Sequence, residues 1–237
     1  MKIFQRVSLR LSLALMCTGL FAGPVIAEST ASMPLVSPGP HEVVEKTTQQ
    51  VMEVINSAKG YYATDPQRFY SEIESVLEDV IDFDGFSRGV MGQYASKKMY
   101  SALETDEEKA AFKERMRRFS ATFRTGLVQT YAKGLLAFNG NRIDVLPPKE
   151  STDLGGTDSV TVTQHIFGEA EKPFVIQYKL RPNRAGEWKL RNVTIEAINL
   201  GIVYRGQFNS AVRLYDGDID KVINNWSVDP TGSAKSS

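Results

Sequence analysis

Apolar residues recur at helical spacing over the first half of this chain and at alternate positions over much of the second. Val43, Val44, Val51, Val54 and Ile55, with Thr47 among them, form one stripe of an amphipathic helix beginning near Gly39. Asp65-Pro66, a capping residue followed by proline at the first helical position, opens a second helix carrying Phe69, Ile73, Val76, Leu77 and Val80. Phe83 to Tyr100 holds three glycines and reads as short, broken helical pieces. Thr105-Asp106-Glu107-Glu108 is a capping box, with acids where the helix dipole favours them. The helix it opens extends to about Ala137, with Phe112, Met116, Phe119, Phe123, Leu127 and Tyr131 along one side.

After the turn Asn139-Gly140-Asn141 the period changes to two. Ile143 to Leu146 is a short strand, and Val160 to Phe167 alternates Val160, Val162, Gln164 and Ile166 against Thr161, Thr163 and His165. Phe174, Ile176, Tyr178 and Leu180 share a face, and Asn183 to Gly186 makes a hairpin turn into a strand from Trp188 to Ala197. Helices grouped ahead of a hairpin-linked meander predict an α+β fold, N-terminal helices packed on an antiparallel sheet. The run NVTIEAINLGIVYRGQF, Asn192 to Phe208, passes from strand into dense apolar sequence whose partner the pattern leaves open.

The ends set the compartment. Lys2, Arg6 and Arg10 precede the apolar stretch Leu11 to Gly23, and Val25-Ile26-Ala27 forms a small-residue cleavage site, so residues 1–27 read as a secretory signal peptide cut after Ala27. The apolar stretch is too short for a stable transmembrane helix. Met16 before Cys17 is larger than a lipid-attachment signal takes. Residues 28–39 read as a flexible leader, 40–228 as one domain and 229–237 as a disordered tail. Without the signal the balance of 28 basic to 28 acidic residues becomes 25 to 28, which gives no bulk charge for gripping nucleic acid. The only cysteine leaves with the signal, and with it any disulfide, thiolate nucleophile or cysteine-based metal site.

Few residue sets offer chemistry. Gly85-Phe86-Ser87-Arg88-Gly89 has the spacing of a nucleophile elbow, but that device needs a strand-to-helix turn in a parallel sheet, and a glycine-flanked helix break explains it better. Asp82-Phe83-Asp84-Gly85 opens like a calcium loop, yet Phe86 stands where the third oxygen ligand belongs. His41 and His165 alone cannot build a zinc site. Lys113, Arg117 and Arg124 share a helical row, either a solvated face paired with neighbours such as Glu114 or cations meeting a phosphate or an acidic partner. The aliphatic and aromatic stripes are the larger signal. Such stripes usually form packed core, and composition leaves open whether they enclose a hollow.

The ordered set Ile195-Glu196-Ala197-Ile198-Asn199-Leu200, Tyr204-Arg205-Gly206-Gln207-Phe208, then Gly217, Ile219 and Asp220 resembles the C-terminal signature of the MlaC family of periplasmic phospholipid carriers. Gly92-Gln93-Tyr94, Phe119 through Tyr131, and Asn139-Gly140 fall in the family's order too, so the likeness spans nearly all of residues 40–227. The chain departs from it at Ala197-Ile198-Asn199, where the family tends to Gly-Val-Ser, and at Gly217-Asp218-Ile219-Asp220, where it tends to Gly-Ile-Asp. The resemblance implies a curved, nuclear-transport-factor-like sheet whose helices leave an internal apolar cavity for acyl chains. It implies phospholipid as cargo, with no cofactor and no metal. The implied partners are an outer-membrane MlaA-type lipoprotein with its porin and an inner-membrane ABC transporter with an MlaD-type hexamer, together maintaining outer-membrane lipid asymmetry.

On that reading Val162, Phe174, Ile176, Tyr178, Trp188, Leu190 and Ile195 form the sheet wall of the cavity. Val51, Ile55, Phe119, Phe123 and Leu127 form its helical wall, and Leu200, Tyr204 and Arg205 lie on a lid helix near the mouth, the last two as polar anchors. Two other readings predict different structures. An isomerase- or hydratase-like enzyme in the same cavity needs Asp144, His165 or Glu196 buried there with a perturbed pKa. A pure adaptor needs a filled core.

Overall fold

A computed structural model describes residues 38–136, 142–147, 159–169 and 171–228. The expected signal peptide, most of the expected leader, the Asn139-Gly140-Asn141 turn and the expected tail lie outside these residues. The described chain is α+β as expected: helices precede a five-stranded antiparallel meander, β1-β2-β3-β4-β5, and two more helices follow it.

Helix α1 (Pro40–Ala58) starts with proline in its first turn, and α2 (Pro66–Glu78) is capped by the Asp65 carboxylate accepting from Arg68 N–H. The glycine-rich region resolves into α3 (Phe83–Met91), a 3₁₀ turn Gly92–Ala95 and α4 (Lys97–Ser101). Asp82 caps α3 through Gly85 N–H at 2.6 Å, so the supposed calcium loop is a helix start. Long α5 (Asp106–Leu136) begins at the expected box: Thr105 Oγ1 accepts from Glu108 N–H, and the Glu108 carboxylate accepts from Thr105 N–H, both at 3.1 Å.

The strands are β1 (Arg142–Val145), β2 (Val160–Phe167), β3 (Phe174–Pro182), β4 (Trp188–Ile195) and the two-residue β5 (Ile198–Asn199). β4 therefore stops two residues earlier than its pattern suggests. Glu196 and Ala197 take positive φ of 46° and 68° and form a two-residue hairpin turn, without the Asn-Gly or Gly sequence that announces one. Leu180 pairs with Leu190 but Lys179 with Asn192, leaving Arg191 as an extra residue in β4. This bulge puts Leu190, Val193 and Ile195 on one face, although strict alternation would separate Leu190 from Ile195. Beyond the turn come α6 (Leu200–Leu214) and α7 (Ile219–Asn224), capped by Asn199 and Asp218.

Among the described residues the buried apolar side chains, Phe112 and Leu190 apart, divide into three clusters. One joins α3, α5, α6 and α7 around Phe86, Phe119, Phe123, Tyr204 and Phe208. A second joins α1, α2 and α5 around Ile55, Phe69, Ile73 and Val128. The third fixes α1 to the sheet through Val44, Val160, Val162 and Leu180.

Candidate functional site

The face of the sheet toward α1 and α6 is almost wholly apolar. Register places Val162 opposite Tyr178, Gln164 opposite Ile176 and Ile166 opposite Phe174, with Val193 opposite Tyr178 and Ile195 opposite Ile176 on the other side. Cross-strand partners share a face, so these side chains form one surface. Its burial changes steadily along β3. Leu180 is fully buried, Tyr178 and Ile176 keep part of their surface, and Phe174 is 44% exposed. The end under α1 is sealed and the Phe174 end is open.

Ile176 sits at the middle of this face, half-buried, and among the described residues it belongs to none of the three clusters. Tyr178 carries a related signature. Burial pushes its phenol far above the ordinary tyrosine pKa, yet the residue retains accessible surface.

The one buried polar side chain on this face is fully used. Tyr178 O–H donates to Gln164 Oε1, Gln164 Nε2 donates to Thr48 Oγ1, and Thr48 O–H donates to Val44 O, at 2.7, 2.7 and 2.8 Å. The chain runs from β3 through β2 to α1 and ends on a backbone carbonyl, so it holds α1 on the sheet.

The residues expected to form one cavity wall are distributed over the three clusters. Phe119, Phe123, Leu127, Leu200 and Tyr204 interlock in the first, with Ile195 packed against it. Phe123 meets Phe86 and Tyr204 edge-on at 5.2 and 5.4 Å between centroids. Ile55 and half-buried Val51 belong to the second, while Val162, Tyr178 and half-buried Trp188 belong to the third. Leu190 is buried beside the Val80–Asp82 segment, which it holds by two backbone hydrogen bonds. Of the expected wall residues, Leu190, Ile176 and Phe174 belong to none of the three clusters, and of these only Ile176 and Phe174 keep appreciable accessible surface.

Two of the mouth residues have structural roles. Tyr204 is fully buried, with its hydroxyl 2.7 Å from that of Tyr131. Arg205 is exposed and donates from Nε to Gly89 O at 2.7 Å, clamping α6 to the end of α3. The row on α5 is largely paired: Arg117 makes a two-pronged contact with Glu114, Arg124 meets Glu74 at 3.0 Å, and Lys113 lies over the Tyr100 ring. Gln164, Tyr131 and the exposed Ile198 and Ile202 were not foreseen from the sequence. Only the alternation of Gln164 with apolar neighbours could have marked the first.

The groups an enzyme would need stand elsewhere. Asp144 pairs in register with His165 on the opposite, polar face and meets Arg142 at 3.0 Å. Glu196 is exposed in the β4–β5 turn, where its carboxylate accepts from Val175 N–H. Ser87 lies inside α3 and donates to Asp84 O, away from any strand-to-helix turn. Among the described residues no group of three or more His, Cys, Asp or Glu is placed to hold a metal, and no helix is long and apolar enough to cross a membrane.

Comparison with known proteins agrees with this architecture. The MlaC protein family model matches residues 45–228. The toluene tolerance protein ttg2D of Pseudomonas putida is 34% identical over 188 residues, covering 79% of this chain and 80% of that protein. A phospholipid-binding protein from Ralstonia solanacearum, solved in complex with a phospholipid, superposes with a TM-score of 0.59 at 17% identity, covering 79% of this chain and 94% of that one. A family model spanning most of the folded region and a relative at this identity place the chain in the MlaC family.

Proposed function

We infer that this protein is a periplasmic phospholipid carrier that holds acyl chains against the inner face of its sheet. The observation that carries the reading is the burial gradient along β3, with Ile176 outside every packed cluster between a sealed and an open end. The Ralstonia solanacearum neighbour, with a phospholipid bound in the same fold, supports it. So does the family, to which the toluene tolerance relative also corresponds.

The physical need is plain. A diacyl lipid has about 30 methylenes, and at ~0.8 kcal/mol each its tails cost on the order of 25 kcal/mol to expose to water. Walls of Ile166, Ile176, Tyr178, Val193 and Ile195 replace the bilayer with a medium of similar polarity, so transfer in either direction can be nearly balanced. Phospholipid is cargo on this reading, and no cofactor takes part. On this reading the headgroup lies toward water at the open end by Phe174. Residues 1–27 would direct secretion, and the carrier would exchange lipid with an inner-membrane ABC transporter complex and an outer-membrane lipoprotein complex, maintaining outer-membrane asymmetry.

Organic-solvent extraction of the purified protein followed by mass spectrometry tests the assignment. Phospholipid at a fixed stoichiometry is expected. An empty protein that also fails to take phospholipid from vesicles would overturn it.

A further inference from the structure

The apolar face does not end at its mouth. Phe174 is 44% exposed, Ile198 54% and Ile202 69%, three of the most exposed large apolar side chains among the described residues. Register joins them to the interior. Ile198 pairs with Ile195, which pairs with Ile176, while Phe174 pairs with Ile166 at the same end of the sheet. Ile202 follows Ile198 by four residues, in the first turn of α6 beyond the Asn199 cap. An apolar track therefore runs from the middle of the sheet to the outside of α6.

The rest of that outer surface is cationic. Ile202, Arg205, Gly206, Asn209 and Arg213 lie within a narrow sector by the 3.6-residue period, and α6 contains no Asp or Glu. Arg205 bonds Gly89 O, Arg213 bonds Ser210 Oγ, and Arg88 in neighbouring α3 bonds Asp84 O; among the described residues none of the three is in a salt bridge. Glu169, Glu171 and Lys172 in the β2–β3 connection and Glu196 also stand at this end, and Glu196 is engaged with Val175 N–H. Protruding isoleucines flanked by arginines suit shallow insertion among acyl chains, with phosphates meeting the guanidinium groups.

We propose that this rim, Phe174, Ile198 and Ile202 with Arg205 and Arg213, docks the protein on the surface of an anionic phospholipid bilayer. The proposal rests on the carrier reading, because the track would then let a lipid tail pass between bilayer and cavity without crossing water.

Flotation with vesicles of phosphatidylethanolamine and phosphatidylglycerol, against phosphatidylcholine vesicles, tests it. The mature protein is expected to float with the anionic vesicles, and Ile198→Ser/Ile202→Ser to lower the bound fraction about tenfold or more. Arg205→Gln/Arg213→Gln should lower it roughly fivefold or more in low salt and much less in high salt. The exposed isoleucines contribute little to the core, so unchanged thermal unfolding would exclude misfolding as the cause. Equal flotation of wild type and the isoleucine variant, or flotation only when a membrane protein is present in the vesicles, would overturn membrane docking. Lipid extracted from the same variants is a separate readout. Unchanged cargo with lost flotation supports the proposal, whereas wild-type protein that floats with the anionic vesicles yet carries no phospholipid would leave docking standing and sink the carrier reading.

Discussion

At the level of single residues, most local features have a chemical cause, but among the described residues three without a glycine's freedom, Glu196, Ala197 and Asp216, hold positive φ. Ala197 holds φ at 68°, a region that crowds any Cβ, at the place where the family tends to glycine. Relief of that crowding outweighs the extra freedom glycine gives the unfolded chain, so Ala197→Gly should raise stability by roughly 0.5–1 kcal/mol in urea titration. An unchanged or lower midpoint would show that the turn is not strained. Tyr178 presents the opposite case. Tyr178→Phe removes the donor to buried Gln164 Oε1 and should cost about 1–3 kcal/mol in the same assay. Neither effect was legible beforehand, because the pattern ran β4 through Ala197 and marked Gln164 only as one more inward position. Positive φ without Gly or Asn, and a hydrogen bond between residues far apart in sequence, leave no trace in periodicity.

The elements themselves were largely legible, since capping residues and hydrophobic period act over a few neighbours. Asp65-Pro66 and the Thr105–Glu108 box place helix starts correctly, and β2 falls where alternation puts it. What the pattern missed lies in how elements join. Asp218, an addition relative to the family's Gly-Ile-Asp, caps α7, and Asp220 then accepts from Arg115 and Arg118 of α5, both at 2.8 Å. Partial burial works against the charged form of Asp220, but the two guanidinium groups outweigh it and hold its pKa below the ordinary aspartate value. A folded pKa below the unfolded one gives stability that is present above the unfolded value and lost as pH falls through the folded one. Asp220→Asn should therefore cost only about 0.5 kcal/mol at neutral pH, since the pair is well solvated. It should also flatten the stability loss as pH falls below the ordinary aspartate range, and a thermal unfolding series in acid would read both. The C-terminal strap is similarly specific. A Cβ on Gly126 would stand 2.5 Å from Val228 Cγ2, so Gly126→Ala should destabilise by about 1 kcal/mol and Val228→Ala should restore most of the loss.

For the whole molecule, the question is whether the inner face borders a hollow or a solid core. Sequence patterning identifies apolar side chains but not what fills the space in front of them. That is why Phe119 and Phe123, expected as cavity wall, and Tyr204, expected as an anchor at the mouth, lock α5 to α6, while Ile176 in mid-sheet and Phe174 at the open end remain the clearest candidates to touch a ligand. A larger side chain at Ile176 separates the two cases. In a filled interior Ile176→Trp would overpack the sheet and cost on the order of 1–3 kcal/mol. Bordering a cavity, the indole would occupy space that a lipid tail otherwise uses, so stability of the lipid-free protein should change by less than about 1 kcal/mol while bound phospholipid falls severalfold. Denaturant unfolding of delipidated protein and mass spectrometry of extracts, on the same preparation, measure the two quantities. A strongly destabilised variant that still carries its full complement of lipid would mean that the tails lie elsewhere.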